Sequence, residues 1–260
     1  MAIDFSFIDE GDRHKPAVVF LHAFPYHSAM WAPQRKALRE RARFIAFDAR
    51  GLGTRSTQTT AYMLEHTVDD LLSLLDQLAI EQCVLCGLSM GGYAALRAVA
   101  RAPQRVRGLV LADTQAPADS DPAKLARAAS LRALLRDGSA GFAQQQIQRQ
   151  LSTYTLARKP ALVAELQAMV VSSGVAGIAA SLVAIATRTD QGPSLPEIRV
   201  PTCVIVGAED VVTPPSAAQA LAERIPGAKL HVLAKAGHLS NLEAEDEFNR
   251  ALIEYLTGLG

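Results

Sequence analysis

The sequence predicts an α/β fold: a mostly parallel sheet of about seven strands flanked by helices, with a helical cap inserted into it. Three observations carry this prediction. Short apolar runs alternate with stretches of helical period over residues 17–112 and again over 202–256. Such alternation is the pattern of parallel strands joined by right-handed helical crossovers. Several of the runs end in short loops holding Gly, Asp, Ser or His, at the sheet edge where α/β folds place their chemistry. Between residues 119 and 192 the alternation stops and no strand-like run occurs. The chain therefore divides into a core of residues 1–118 and 193–260 and a cap of residues 119–192.

Residues 3–8 alternate apolar and polar before Asp9-Glu10-Gly11-Asp12, which reads as one half-buried strand and a turn. Ala17-Val18-Val19-Phe20-Leu21 is continuously apolar, as a strand covered on both faces should be, and runs into His22-Ala23-Phe24-Pro25. A short helix carrying Trp31 is expected over residues 28–39. The strand Phe44-Ile45-Ala46-Phe47 leads into Asp48-Ala49-Arg50-Gly51-Leu52-Gly53 and a polar stretch, residues 54–60. Val68, Leu71, Leu72, Leu74, Leu75 and Leu78 mark an amphipathic helix over residues 66–78. A buried strand, Cys83-Val84-Leu85-Cys86, then enters the turn Gly87-Leu88-Ser89-Met90-Gly91-Gly92. Ala94, Ala95, Leu96, Ala98 and Val99 give the next helix its apolar face, and Arg101 and Pro103 end it. Residues 106–112 form another buried strand, ending at Asp113.

In the cap, Asp121-Pro122 reads as a helix start with Asp as N-cap and Pro in the first position. Further helices are expected over 139–150, 160–171 and 175–188, with a break at Ser172-Ser173-Gly174. The core resumes with a strand at 202–206, a helix at 216–225 and a strand at 229–233. The last helix, 242–256, is preceded by Ser240-Asn241-Leu242-Glu243, which fits a capping box.

Apolar residues make up 49% of the 260 and charged ones 20%, an ordinary balance for a globular enzyme. The formal net charge of zero gives no electrostatic case for nucleic acid or an anionic membrane as partner. No apolar run reaches the length of a membrane span. The acidic N-terminus has no apolar signal segment, so the expected location is cytoplasmic. Cys83 and Cys86 form a C-x-x-C that could hold a metal or a disulfide. Residues three apart on a strand point to opposite faces, however, which favours two buried thiols. No residue set has metal-ligand spacing and no phosphate-binding glycine loop is evident, so neither metal nor cofactor is expected.

Gly87-Leu88-Ser89-Met90-Gly91 is Gly-x-Ser-x-Gly between a strand and a helix, the nucleophile-elbow pattern. The serine backbone there is strained, and strand and helix approach so closely two residues either side that a Cβ would clash. A serine hydroxyl is a poor nucleophile at neutral pH; it needs a general base and a carboxylate to orient that base. Asp210 lies just past one strand end and His238 just past the next. Asp113, at the end of the strand after the elbow, is the competing acid, whereas Glu209 should point elsewhere.

The order Ser89, Asp210, His238 resembles that of the α/β-hydrolase superfamily. Within it, the chain looks like 3-oxoadipate enol-lactonases and related cofactor-free serine esterases. The matching segments are His22-Ala23-Phe24-Pro25, Asp48-Ala49-Arg50-Gly51-Leu52-Gly53, the elbow, Val206-Gly207-Ala208-Glu209-Asp210 and Gly237-His238-Leu239-Ser240-Asn241-Leu242-Glu243. The resemblance implies an oxyanion hole made by the backbone N–H groups of Phe24 and Met90. Many such hydrolases carry two N-terminal antiparallel strands; here one is expected to be missing, leaving about seven.

The implied activity is hydrolysis of a small carboxylic ester or lactone through a Ser89–His238–Asp210 triad and an acyl-enzyme. A perhydrolase or a C–C bond hydrolase could use the same triad, and a ligand receptor or signalling protein could use the same fold. Haloalkane dehalogenation is disfavoured, because those relatives carry Asp where this chain has Ser89. His22 is expected to support the oxyanion loop by hydrogen bonding, and Asp48 and Arg50 to hold their own loop. Phe24, Tyr26 and Trp31 are candidates for an apolar pocket wall, although core packing explains Trp31 equally well. The cap carries eight Lys/Arg against five Asp/Glu, a balance of +3 that suits an anionic substrate as well as a solvated helix face.

Overall fold

The computed structural model describes residues 5–55 and 62–259. Its sheet comprises β1 (Phe7–Glu10), β2 (Ala17–Leu21), β3 (Arg43–Phe47), β4 (Cys83–Leu88), β5 (Val106–Ala112), β6 (Thr202–Gly207) and β7 (Lys229–Leu233). The order is β1-β3-β2-β4-β5-β6-β7, with β1 antiparallel to β3 and all other pairs parallel. Among the described residues this is the seven-stranded, mostly parallel sheet expected, with a single antiparallel strand at its N-terminal edge. That strand spans residues 7–10; residues 3 and 4 of the expected 3–8 lie outside the described residues, as do 56–60 of the polar stretch.

The continuous apolar runs became the inner strands because both faces of the sheet are covered. Phe20 stacks on Phe44 and packs at a tilt against Trp31, which in turn meets Phe248. That face is covered by α1 (Ala32–Leu38) and α10 (Glu245–Thr257), which pack on each other. Leu21, pointing the other way, lies against Gly91 of α3 (Met90–Arg101), beside α2 (Leu64–Gln77). The chain leaves β2 toward β3 on one side and β4 on the other. The resulting topological switch point, at the carboxyl ends of β2 and β4, is where such sheets bind ligands.

The cap consists of α4 (Asp121–Gln150), α5 (Thr153–Arg158), α6 (Pro160–Ser172) and α7 (Gly174–Ala186). Its first helix starts one residue earlier than expected: Ser120 is extended and its side chain accepts from Ala123 N, so Asp121 and Pro122 fall inside the first turn. The expected helix 139–150 is the second half of α4, beyond a kink at Gly138. The helix α5 was not expected; Ser152 caps it by accepting from Thr155 N. After α8 (Pro215–Arg224), the expected last helix is split at Ala244 into α9 (Ser240–Glu243) and α10. The capping box does not form, because Glu243 accepts instead from the N–H groups of Ser152, Gly237 and Leu239.

Cys83, Cys86 and Cys203 are buried free thiols. Among the described residues no single helix is long and apolar enough to cross a membrane; the apolar pair α6 and α7 bends by 89° at its break.

Candidate active site

The elbow forms because β4 must turn into α3 within one residue. Ser89 takes it with φ 53 and ψ −112, a conformation costing on the order of 1–3 kcal/mol for a side chain other than Gly. Its surroundings over-determine that geometry. Ser89 N–H donates to Ala112 O at 3.0 Å, and Ser89 O accepts from Thr114 Oγ1 at 2.8 Å and Tyr93 N at 3.1 Å. A Cβ on Gly87 would lie 2.3 Å from Gly91 O, and one on Gly91 would lie 1.9 Å from Leu21 O. Only glycine lets β4, β2 and α3 converge there.

His238 reaches this apex from the loop after β7. Its Nε2 lies 2.8 Å from Ser89 Oγ and its Nδ1 lies 2.8 Å from Asp210 Oδ2. With Nδ1–H donating to the carboxylate, the Nε2 lone pair faces the serine hydroxyl. All three residues are buried. Asp210 also accepts from Val212 N at 2.7 Å, Thr213 N at 3.0 Å and Thr213 Oγ1 at 2.8 Å. Burial alone would raise the Asp210 carboxyl, but His238 opposite and the Thr213 bonds outweigh it and hold the pKa below the ordinary carboxylate value.

Asp113 sits at the end of β5 and none of its hydrogen bonds is to His238. It accepts from Gly207 N at 2.8 Å and Ser240 N at 3.3 Å and bonds Ser240 Oγ. Complete burial, and then the neighbouring Asp210 charge, push its pKa well up. Glu209 points into the cap, accepting from Thr153 N and Oγ1.

Phe24 and Met90 are buried beside the elbow, and among the described residues neither N–H meets a protein acceptor. His22 bonds Ala23 O through Nδ1 and accepts Ala49 N through Nε2 at 2.9 Å, tying the β2 and β3 loops together. Burial lowers its pKa, against the pull of Asp48. Asp48 accepts from Ser28 N, Thr54 N and Thr54 Oγ1, and Arg50 pairs with Asp70. Asp48 thus ties the loop after β3 to the segment that leads into α1, and Arg50 ties it to α2.

A cavity of about 170 Å³ opens over Ser89 and His238. Phe24 lines it, but Tyr26 and Trp31 do not. Trp31 is packed between Phe20 and Phe248, and Tyr26 is buried behind the wall, its hydroxyl donating to Gln150 Oε1. The pocket wall comes instead from Tyr93, Val212 and the cap, through Gln146, Gln150, Leu182 and Ile185. Arg127 and Arg149 face it too. Asp119 accepts from Arg127 Nε at 2.9 Å and pairs with buried Arg188, whose guanidinium lies 4.2 Å over the Tyr93 ring. The sequence did not single out Thr213 or Gln150. Thr213 had a local signal, standing three residues after Asp210 as in an Asx-type turn; Gln150 had none, because its partners lie far away in the chain.

The alpha/beta hydrolase fold family matches residues 16–245. The chain is 31% identical to 3-oxoadipate enol-lactonase 2 of Acinetobacter baylyi, over 97% of this chain and 92% of that one. It superposes on a thermophilic esterase from Thermogutta terrifontis, solved with malate bound, with TM-score 0.93 and 33% identity over 98% and 93% of the two chains. The enol-lactonase from Burkholderia xenovorans gives TM-score 0.89 and 31% identity over 97% and 96%.

Proposed function

Because this chain belongs to the α/β-hydrolase fold family, we propose that it is a serine hydrolase of small carboxylic esters or lactones. The observation that carries the reading is the unbroken line Ser89 Oγ, His238, Asp210, with 2.8 Å at each step. His238 Nε2 takes the proton of Ser89 as Oγ attacks the ester carbonyl carbon. Asp210 stabilises the imidazolium and keeps it oriented. The tetrahedral oxyanion is met by the N–H groups of Phe24 and Met90, the second lying at the N-terminus of α3. His238 returns the proton to the leaving alkoxide. Water, deprotonated by His238, then cleaves the acyl-enzyme, and Ser89 regains its proton. No step calls for a cofactor.

Two features narrow the substrate. A volume of about 170 Å³ is below the roughly 300–1,000 Å³ of drug-sized sites, which suits a short acyl chain or a compact lactone. Arg127 and Arg149 face the cavity, and among the described residues Arg149 has no carboxylate partner. A substrate carrying its own carboxylate would supply one, and the esterase neighbour holds malate, a dicarboxylate.

The test is hydrolysis of short p-nitrophenyl esters beside a panel of neutral and carboxylated lactones, wild type against Ser89→Ala. The expected result is multiple turnover by the wild type and its loss in the variant. Turnover that survives Ser89→Ala, or a wild type inert on the whole panel, would overturn the reading.

A further inference from the structure

Gln150 is the last residue of α4, and three parts of the molecule meet on it. Its Oε1 accepts from the Tyr26 hydroxyl, and its Nε2 donates to Phe24 O at 3.3 Å. Its backbone O accepts from His238 N at 2.6 Å. The side chain thus holds the loop that carries the Phe24 N–H, while the main chain holds the loop that carries the base. Both junctions are dry: Gln150 is 4% exposed and Tyr26 0%. The fit leaves no slack, since a Cβ on Gly237 would lie 2.5 Å from Gln150 O. Two residues on, Ser152 N donates to Glu243, whose other oxygen accepts from Gly237 N and Leu239 N on either side of His238.

Resting on the serine-hydrolase reading above, we propose that Gln150 is a positioning residue for the oxyanion hole, through which the docked cap sets the Phe24 peptide relative to His238 and Ser89. The Phe24 carbonyl and Tyr26 ring flank the loop on the C-terminal side of the Phe24 N–H. With both fixed to Gln150, that N–H has one orientation and no search to make during the reaction. A buried amide satisfied at both ends also resists displacement, because breaking either bond strands a polar group away from water. An oxyanion donor acts only where negative charge develops, so its misplacement weakens the transition state and leaves ground-state binding almost untouched.

The experiment compares wild type, Gln150→Met and Tyr26→Phe on a short p-nitrophenyl ester. The same proteins are titrated with a trifluoromethyl ketone, whose carbonyl takes up Ser89 Oγ and leaves its oxygen as the oxyanion of a hemiketal. Gln150→Met should lower kcat about 10–100-fold with KM changed less than about threefold, and weaken ketone affinity by a similar factor. Tyr26→Phe should give a smaller loss of the same kind, and the double variant no more than Gln150→Met alone, since both act through one linkage. Unchanged kcat, or a loss confined to KM, would overturn the inference. So would lower kcat with unaltered ketone affinity, which would report only a smaller fraction of folded enzyme. If Gln150→Met does not fold, Tyr26→Phe decides on the same readouts, since it removes a single oxygen. A wild type without Ser89-dependent turnover would sink the hydrolase reading and this inference with it; Ser89-dependent turnover with unaffected variants would sink this inference alone.

Discussion

Asp113 and Asp210 terminate neighbouring strand ends, yet their environments push them in opposite directions. Asp210 is surrounded by donors and lies against His238; Asp113 is fully buried beside another carboxylate. Asp210→Asn should lower kcat about 10⁴-fold, as loss of the orienting carboxylate does in other triads. Asp113→Asn should cost less than about tenfold, since Asn can still accept from Gly207 N. The reverse ranking in kcat measurements would transfer the acid's role to Asp113. A carboxyl raised above 3.8 on folding also has a stability signature. As pH climbs past about 4 the unfolded chain gives up this proton before the folded one does, so the folded state loses stability with rising pH. Asp113→Asn lacks that term, and its Tm relative to wild type should rise between about pH 4 and pH 7. Asp48 has the opposite sign. Burial would raise its carboxyl, but His22 and the bonds from Ser28 and Thr54 bring it from 3.8 down to about 2. It therefore contributes stability above about pH 4 that fades as pH falls toward 2, roughly 2 kcal/mol in all. Acid unfolding followed by circular dichroism should show a shallower fall over that range in Asp48→Asn, from a lower starting stability.

The cap docks through backbone contacts that leave no room for a side chain. A Cβ on Gly177 in α7 would lie 1.6 Å from Gly51 O, in the loop after β3. Gly177→Ala must therefore shift α7, which bears Leu182 and Ile185 of the cavity wall. A cost of about 1–3 kcal/mol, or a Tm lower by roughly 3–10 °C, is expected, with KM for a cavity-filling ester rising more than kcat falls. Unaltered Tm and KM would mean the helix has slack there. Contacts of this kind also mark where the sequence was legible and where it was not. β2, β4, β5 and β6 could be read because strands covered on both faces are almost continuously apolar. Ser89, Asp210 and His238 could be read because each stands in a local pattern past a strand end. The capping box at Ser240 could not be judged locally: Glu243 is taken by Ser152 and the His238 loop, and Ser240 Oγ by Asp113. Ser120 and Asp121 are equally good caps by type, and only the structure decides between them. Trp31 is close to the oxyanion loop in sequence, but its partner Phe248 in α10 draws it into the core.

Across the whole molecule the charges cancel, with 26 Lys/Arg against 26 Asp/Glu, but they are not evenly spread. The cap's balance of +3 leaves the rest of the chain at −3, and the cap is the part that roofs the cavity. Arg127 and Arg149 line it, Arg188 lies against the wall residue Tyr93, and Asp119 pairs with Arg127 and Arg188 but, among the described residues, not with Arg149. A zero net charge thus coexists with an excess of cations in the cap, whose potential the low-dielectric walls of the cleft would focus on a bound substrate. Such a potential acts on a charged substrate and is indifferent to a neutral one. For an ester bearing a remote carboxylate, kcat/KM should fall several-fold as ionic strength rises from about 0.02 M to about 0.5 M, as the screening length shrinks well below 10 Å. For the matching methyl-capped, neutral ester it should stay flat. Arg149→Ala should raise KM for the carboxylated ester about tenfold, the scale of one charge-assisted contact, while leaving the neutral ester within about twofold. Equal salt dependence for the two esters, or equal loss on both in Arg149→Ala, would show that the arginines serve only to hold the cap, and that charge plays no part in selecting the substrate.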